Sequence, residues 1–191
     1  YKITSVGDAF NVNDELNITG TTMTIEAEED AVKVDNDDDT SAGTMYLSDN
    51  TMTIKAGDDG IHASGDLIID SGTYKVEKST EGIEGKSVTI NGSGKISCTV
   101  KSGEATRAFV VENNGSLTLD GVELDIQGTK NSDTKKNNDG TGIDVQYGGS
   151  LILKNQAVLK LHDLERGTVF SEPEGTTAKP GQVVINNSTF N

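Results

Sequence analysis

Four acidic residues, Asp8, Asp30, Asp59 and Glu81, each stand directly before an Ala or Gly that is followed by a large apolar residue. Arg107 and Thr141 hold the same place in two later copies of the phrase. Written in register, these six residues form one column. Glu29 and Asp58 lie one residue earlier, and Asn11, Lys33, His62, Glu84 and Asp144 lie two residues after the Ala or Gly. Hard carboxylate and amide oxygens gathered in this way, with backbone carbonyls at the bends, suit calcium, which takes six to eight oxygen ligands. Asp8, Asp30, Asp58, Asp59, Glu81 and Glu84 are therefore the expected Ca2+ ligands.

Electrostatics sharpens that expectation. Full charges stacked at strand spacing, about 4.8 Å, repel by about 0.9 kcal/mol per pair in bulk water and about 3.5 kcal/mol at an effective dielectric of 20. A bound cation relieves this, and Arg107 caps the row. The competing reading is a solvated acidic face with splayed side chains and with Lys33 and Arg107 as counterions. A different column, Glu26, Lys55, Glu77, Thr99, Gln127 and His162, mixes signs and reads as a face of exposed cross-strand ion pairs, each worth a few tenths of a kcal/mol.

The elements that must position the column follow from an internal repeat. Ala9-Phe10, Ala31-Val32, Gly60-Ile61, Gly82-Ile83, Ala108-Phe109, Gly142-Ile143 and, loosely, Val169-Phe170 recur roughly 22 to 34 residues apart, in the range of solenoid repeats. Two further apolar pairs follow in each copy, beginning with Leu16/Ile18 and Met23/Ile25, and all alternate with polar residues at the period of half-buried strands. Gly and Asn cluster between them, as in Asp70-Ser71-Gly72, Asn91-Gly92, Asn113-Asn114-Gly115 and Tyr147-Gly148-Gly149, where tight bends are needed. The pattern predicts an all-β, right-handed parallel β-helix of about seven rungs with three short strands per rung, forming a single domain over 1–191. No amphipathic helix caps either end, so irregular segments cap the rungs or the chain is part of a longer protein.

Composition excludes several function classes. A formal charge of −15 argues against nucleic acid and anionic membrane surfaces as direct partners. No apolar run reaches the length of a membrane span. The single Cys98 falls on an inward strand position and reads as a small core residue rather than a redox or nucleophilic group. His62 and His162 lie on different faces with no partner in register for zinc.

Three polar insertions remain. Asp35 to Asp39 resembles a calcium loop but fails the EF-hand test, because Thr40 stands where Gly is required and Tyr46 where the bidentate Glu should be. Thr129 to Asp139, with Lys130, Lys135 and Lys136, and Ser171 to Gln182 read as surface loops that could wall a binding groove.

The segments Asp58-Asp59-Gly60-Ile61-His62-Ala63-Ser64-Gly65-Asp66-Leu67 and Glu81-Gly82-Ile83-Glu84-Gly85-Lys86-Ser87-Val88-Thr89-Ile90-Asn91-Gly92 resemble the repeats of a carbohydrate-binding β-helix family. Its type member binds polygalacturonate, and the family is similar in fold to the family-nine pectate lyases. The likeness is best over about residues 56 to 94 and weaker in the outer rungs, where Arg107 and Thr141 replace the acidic residue. It implies non-catalytic, calcium-dependent binding of an acidic polysaccharide such as pectin, extending to cellulose, by a bacterial protein that is secreted or on the cell surface. In that setting calcium is shared between protein and sugar, and Lys33, His62, Arg107, Asp144 and Tyr147 are the candidate sugar contacts. Tyr147 serves equally well as a turn residue, and the chain has only four Tyr and four Phe for ring stacking.

Two other classes stay open. A calcium-dependent pectate lyase needs a base for the proton α to the uronate carboxylate. Lys33 is the one lysine in the acidic region suitably placed, yet its acidic neighbours should keep it protonated. A structural or adhesin β-helix on the cell surface would use the same column only to bind stabilising ions.

Overall fold

The computed structural model describes residues 1–36, 38–39, 42–92, 95–100, 106–128, 140–171 and 181–190. Among these the chain is all-β, with no helix. The first strands are β1 (Lys2–Ser5), β2 (Phe10–Val12), β3 (Glu15–Thr19), β4 (Thr22–Ala27), β5 (Val32–Val34) and β6 (Thr44–Lys55). The middle of the chain forms β7 (Asp59–Lys78), β8 (Glu81–Asn91), β9 (Lys95–Val100), β10 (Arg107–Asp120) and β11 (Glu123–Gly128). The remainder forms β12 (Thr141–Val145), β13 (Ser150–Lys154), β14 (Val158–His162), β15 (Arg166–Phe170), β16 (Gln182–Ile185) and β17 (Thr189–Phe190).

The strand pairings among the described residues are parallel, and they run in three stacks. In the first, Phe10 pairs with Val32, Val32 with Ile61, Ile61 with Ile83, Ile83 with Phe109 and Phe109 with Ile143. The second aligns Leu16, Met45, Leu67, Val88, Leu117, Leu151 and Val183. The third aligns Ile3, Ile25, Ile54, Val76, Cys98 and Ile126. Strands β6, β7, β8 and β10 contribute to more than one stack, so the sheet curls and its stacks share one core. Tyr74, Phe109 and a majority of Ile and Leu fill that core at essentially zero exposure.

The repeat's insistence on Ala or Gly before the apolar residue has a steric cause. A Cβ at Gly82 would collide with the Ala108 carbonyl and the Cys98 sulfur, and one at Gly60 would lie 2.5 Å from the Gly82 carbonyl. The corners are likewise as expected: Ser71, Gly72, Gly92, Asn114 and Gly148 all adopt positive φ. Cys98 is buried in the core, and desolvation pushes its thiol up to about 12, so it is inert as a nucleophile near neutrality.

Four expectations need correction or qualification. Phe170 does not align with Ile143; Thr168 does, and Phe170 pairs with Val145, so the last copy of the phrase is Gly167-Thr168. A Thr replaces the large apolar residue there, which hid the true register. The mixed-charge column is displaced by a bulge between Ile54 and Lys55, although Lys55 still reaches Glu77 at 3.7 Å. Ile3 and Phe190 extend the third stack beyond the strand pairs read from the repeat. Asp37, Thr40, Lys130, Lys135 and Lys136 lie outside the described residues.

Candidate functional site

The acidic column is built by the corner that leads into the first stack. There each Asp side chain is short enough to turn along the stacking direction and accept a hydrogen bond from the backbone of the next level. The Asp30 N–H donates to Asp8 Oδ1 at 3.0 Å, and the Asp59 N–H donates to Asp30 Oδ1 at 2.9 Å. Asp30 and Asp59 are each only 5% exposed, which removes the picture of splayed, solvated carboxylates at these two positions. The series stops at Asp59, whose Oδ1 is buried and makes no hydrogen bond. Such an orphaned acceptor costs free energy unless a cation or a proton reaches it.

Two groupings of ligand-bearing side chains, one including His62 and one of carboxylates alone, share Asp59. Asp30, Asp59 and His62 present ligand atoms within 4.8 Å of one another, and so do Asp58, Asp59 and Glu81. Burial pushes Glu81 up to about 7, with the Asp59 charge adding to the rise and Arg107 opposing it. Glu84 is also pushed up to about 7 by burial, then by the charges of Glu81 and Asp59. Desolvation raises Asp58 too, reinforced by Asp59 and Asp30. Burial alone would lower His62, but its hydrogen bond to Asp59 and the Glu84 charge prevail and raise it. The site thus holds more negative charge than it accommodates comfortably.

The neighbouring cations are already engaged at its two ends. Lys33 lies 3.4 Å from Asp30 and 3.9 Å from Asp35. Burial would lower its pKa, but Asp30 chiefly, with Asp35 and Asp8, raises it, so Lys33 is held protonated. Arg107 bridges Glu81 at 3.0 Å and Asp144 at 3.4 Å, and Asp144 also accepts from the Ser171 hydroxyl. His62 Nδ1 is 3.4 Å from Asp59. Lys33, His62, Arg107 and Asp144 therefore belong with the six carboxylates on one face.

Tyr147 is separate from that grouping. It sits in a turn, where its carbonyl accepts from the Asn114 N–H, and is only partly exposed, whereas Tyr1 is 85% exposed. Asp8 lies at the column's first level, with Asn11 donating to its Oδ2.

Two residues of this face were missed by inspection of the repeat. Glu112, just past the Phe109 strand segment, is half-buried and raised by desolvation, with His62 and Lys86 opposing the shift. Val110 occupies the column of His62 and Glu84 but is fully buried, outside the core cluster. Extending that column by register through β10, instead of selecting polar residues for it, would have found Val110.

Searches among curated proteins and among solved structures give no match. A family model does match, over residues 1–191, and its description is "carbohydrate-binding domain-containing protein". With the match spanning the full sequence, the chain belongs to this carbohydrate-binding family.

Proposed function

We propose that the chain is a non-catalytic module that binds an acidic polysaccharide of the polygalacturonate or pectin type through calcium held on the acidic face. Its three parallel stacks are read as the faces of a right-handed β-helix of about seven rungs, similar in fold to the family-nine pectate lyases. Asp59 Oδ1, buried and without a hydrogen-bond partner on the residue that the two ligand groupings share, carries the calcium reading. The donor set fits: all the nearby carboxylates offer hard oxygen, and the raised Glu81 and Glu84 mark a place where a cation is favoured. Asp30, Asp58, Asp59 and Glu81 would hold the ion, with Glu84 and Asp8 beside them. Calcium supplies positive charge toward which a uronate carboxylate is drawn. His62, Lys33, Arg107 and Asp144 flank that position and orient the sugar, while Tyr147 contributes only at the turn.

Lys33 speaks for binding rather than cleavage, because a protonated lysine held by Asp30 cannot accept the α-proton of a uronate. Secretion or display on a bacterial surface accords with calcium availability and a polysaccharide partner.

The test is titration calorimetry on chelator-stripped protein with calcium, repeated with oligogalacturonate present. Saturable calcium binding that strengthens with the sugar is expected. Asp59→Asn combined with Glu81→Gln should weaken calcium binding by at least roughly tenfold, about 1.4 kcal/mol, and sugar binding with it. The proposal is wrong if both survive unchanged in that variant.

A further inference from the structure

The outward face of the second stack differs from the acidic face in chemistry. Where the chain turns from the first stack into the second, a groove of about 550 Å³ runs across successive levels. Its floor is backbone at closest approach: a Cβ at Gly115 would overlap the Lys86 carbonyl, and one at Gly65 would lie 2.5 Å from the Ala42 carbonyl. Because no side chain can project at these points, the corner stays concave.

Along the groove, Asp66 pairs with Ser87, Ser87 with Ser116 and Ser116 with Ser150, while Thr44 lines the same groove one level before Asp66. Five levels at strand spacing span about 19 Å, the length of an oligosaccharide rather than of a single sugar. The hydroxyls of Thr44, Ser87, Ser116 and Ser150 make no hydrogen bond to a described residue, so their donors and acceptors are available to a ligand. Lys86 at the wall likewise makes no ion pair with a described residue. Two residues further along each strand, Tyr46, Ile68, Thr89, Thr118 and Ile152 form a parallel column that is largely apolar or hydroxylic.

A pyranose chain offers hydroxyls along its edges and C–H groups on its ring faces. The hydroxyl row and the neighbouring Ile68 and Ile152 complement those two surfaces. Charge decides against an anionic chain here, because Asp66 offsets Lys86 and the whole protein is at −15. No grouping of metal-ligating side chains among the described residues lies in this groove.

The geometry points to a second carbohydrate site in this groove, taking an uncharged pyranose chain lengthwise and without calcium. It rests on membership of the carbohydrate-binding family and not on the calcium reading of the acidic face.

The experiment is calorimetry of the full chain in EDTA against cellohexaose, xylohexaose and mannohexaose, with oligogalacturonate in calcium as a parallel arm. Saturable binding of at least one neutral hexasaccharide in EDTA is expected. Ser87→Gln with Ser116→Gln, which fills the groove from outward positions, should weaken that binding at least tenfold while leaving the melting temperature and the calcium-dependent arm unchanged. Ser150→Gln is the second variant should the first one fold poorly. The inference is overturned by failure of all three neutral sugars, by neutral binding that needs calcium, or by neutral binding indifferent to the groove variants. Loss of the oligogalacturonate arm alone would count against the acidic-face proposal and leave this one standing.

Discussion

At the scale of single residues, the acidic face is governed by its protons. Glu81 and Glu84 rise from 4.5 to about 7 in the folded chain, so between those values the folded protein holds protons that the unfolded chain has released. Stability from this source is fully present below about 4.5 and is lost as pH climbs through about 7. His62, raised above 6.5, acts in the same direction: its contribution is complete below 6.5 and disappears as pH passes its folded value. The melting temperature of calcium-free protein should therefore fall between about pH 5 and pH 8, and calcium should restore it at the upper end. Glu84→Gln should flatten the fall, because a neutral amide has no charge to impose. A calcium-free melting curve that does not move with pH would show that these carboxyls titrate normally. The types and column positions of these carboxylates were legible in the sequence; their burial was not. Nothing in the string Asp58-Asp59-Gly60 distinguishes an exposed Asp58 from a buried Asp59, since that depends on which of the two turns toward the neighbouring level.

At the scale of elements, the small residue before each buried apolar side chain is the tightest constraint. Gly82→Ala would press a methyl against the Ala108 carbonyl and the Cys98 sulfur, and overpacking of this kind costs about 1–3 kcal/mol. Urea unfolding should show that loss as a lower midpoint at unchanged slope. Ala31 and Ala108 hold the equivalent places in their own levels, but the close approach of the Ala108 carbonyl and Cys98 sulfur at Gly82 makes the substitution there more than a conversion to the repeat's other residue. The strand register was largely readable because an alternating pattern fixes which residues face inward, and a one-residue slip would expose every one of them. It failed at Thr168, where the inward position carries a hydroxyl, and at the bulge after Ile54, where the alternation itself is broken. The corner groove was invisible for another reason: Ser87, Ser116 and Ser150 are ordinary outward residues in a single strand, and only their alignment across levels makes a cleft.

At the scale of the whole molecule, order is expected to grade along the stacking direction. Inward residues of β7, β8 and β10 are essentially unexposed, whereas Val183, Val184 and Ile185 of β16 are 48%, 45% and 50% exposed. In an array whose levels touch only their neighbours, stability is a sum of local and nearest-neighbour terms. Amide hydrogen exchange should accordingly be slowest in β7, β8 and β10 and fastest in β16 and β17. Uniform protection along the chain would mean a single cooperative unit instead.

Successive copies of the repeat differ in length by as much as a dozen residues or so, yet their strands meet in nearly unbroken register. Length variation is thus absorbed at the corners while the strands act as a fixed frame. Binding segments of different length could therefore be exchanged at the corners between described strands without recutting the scaffold.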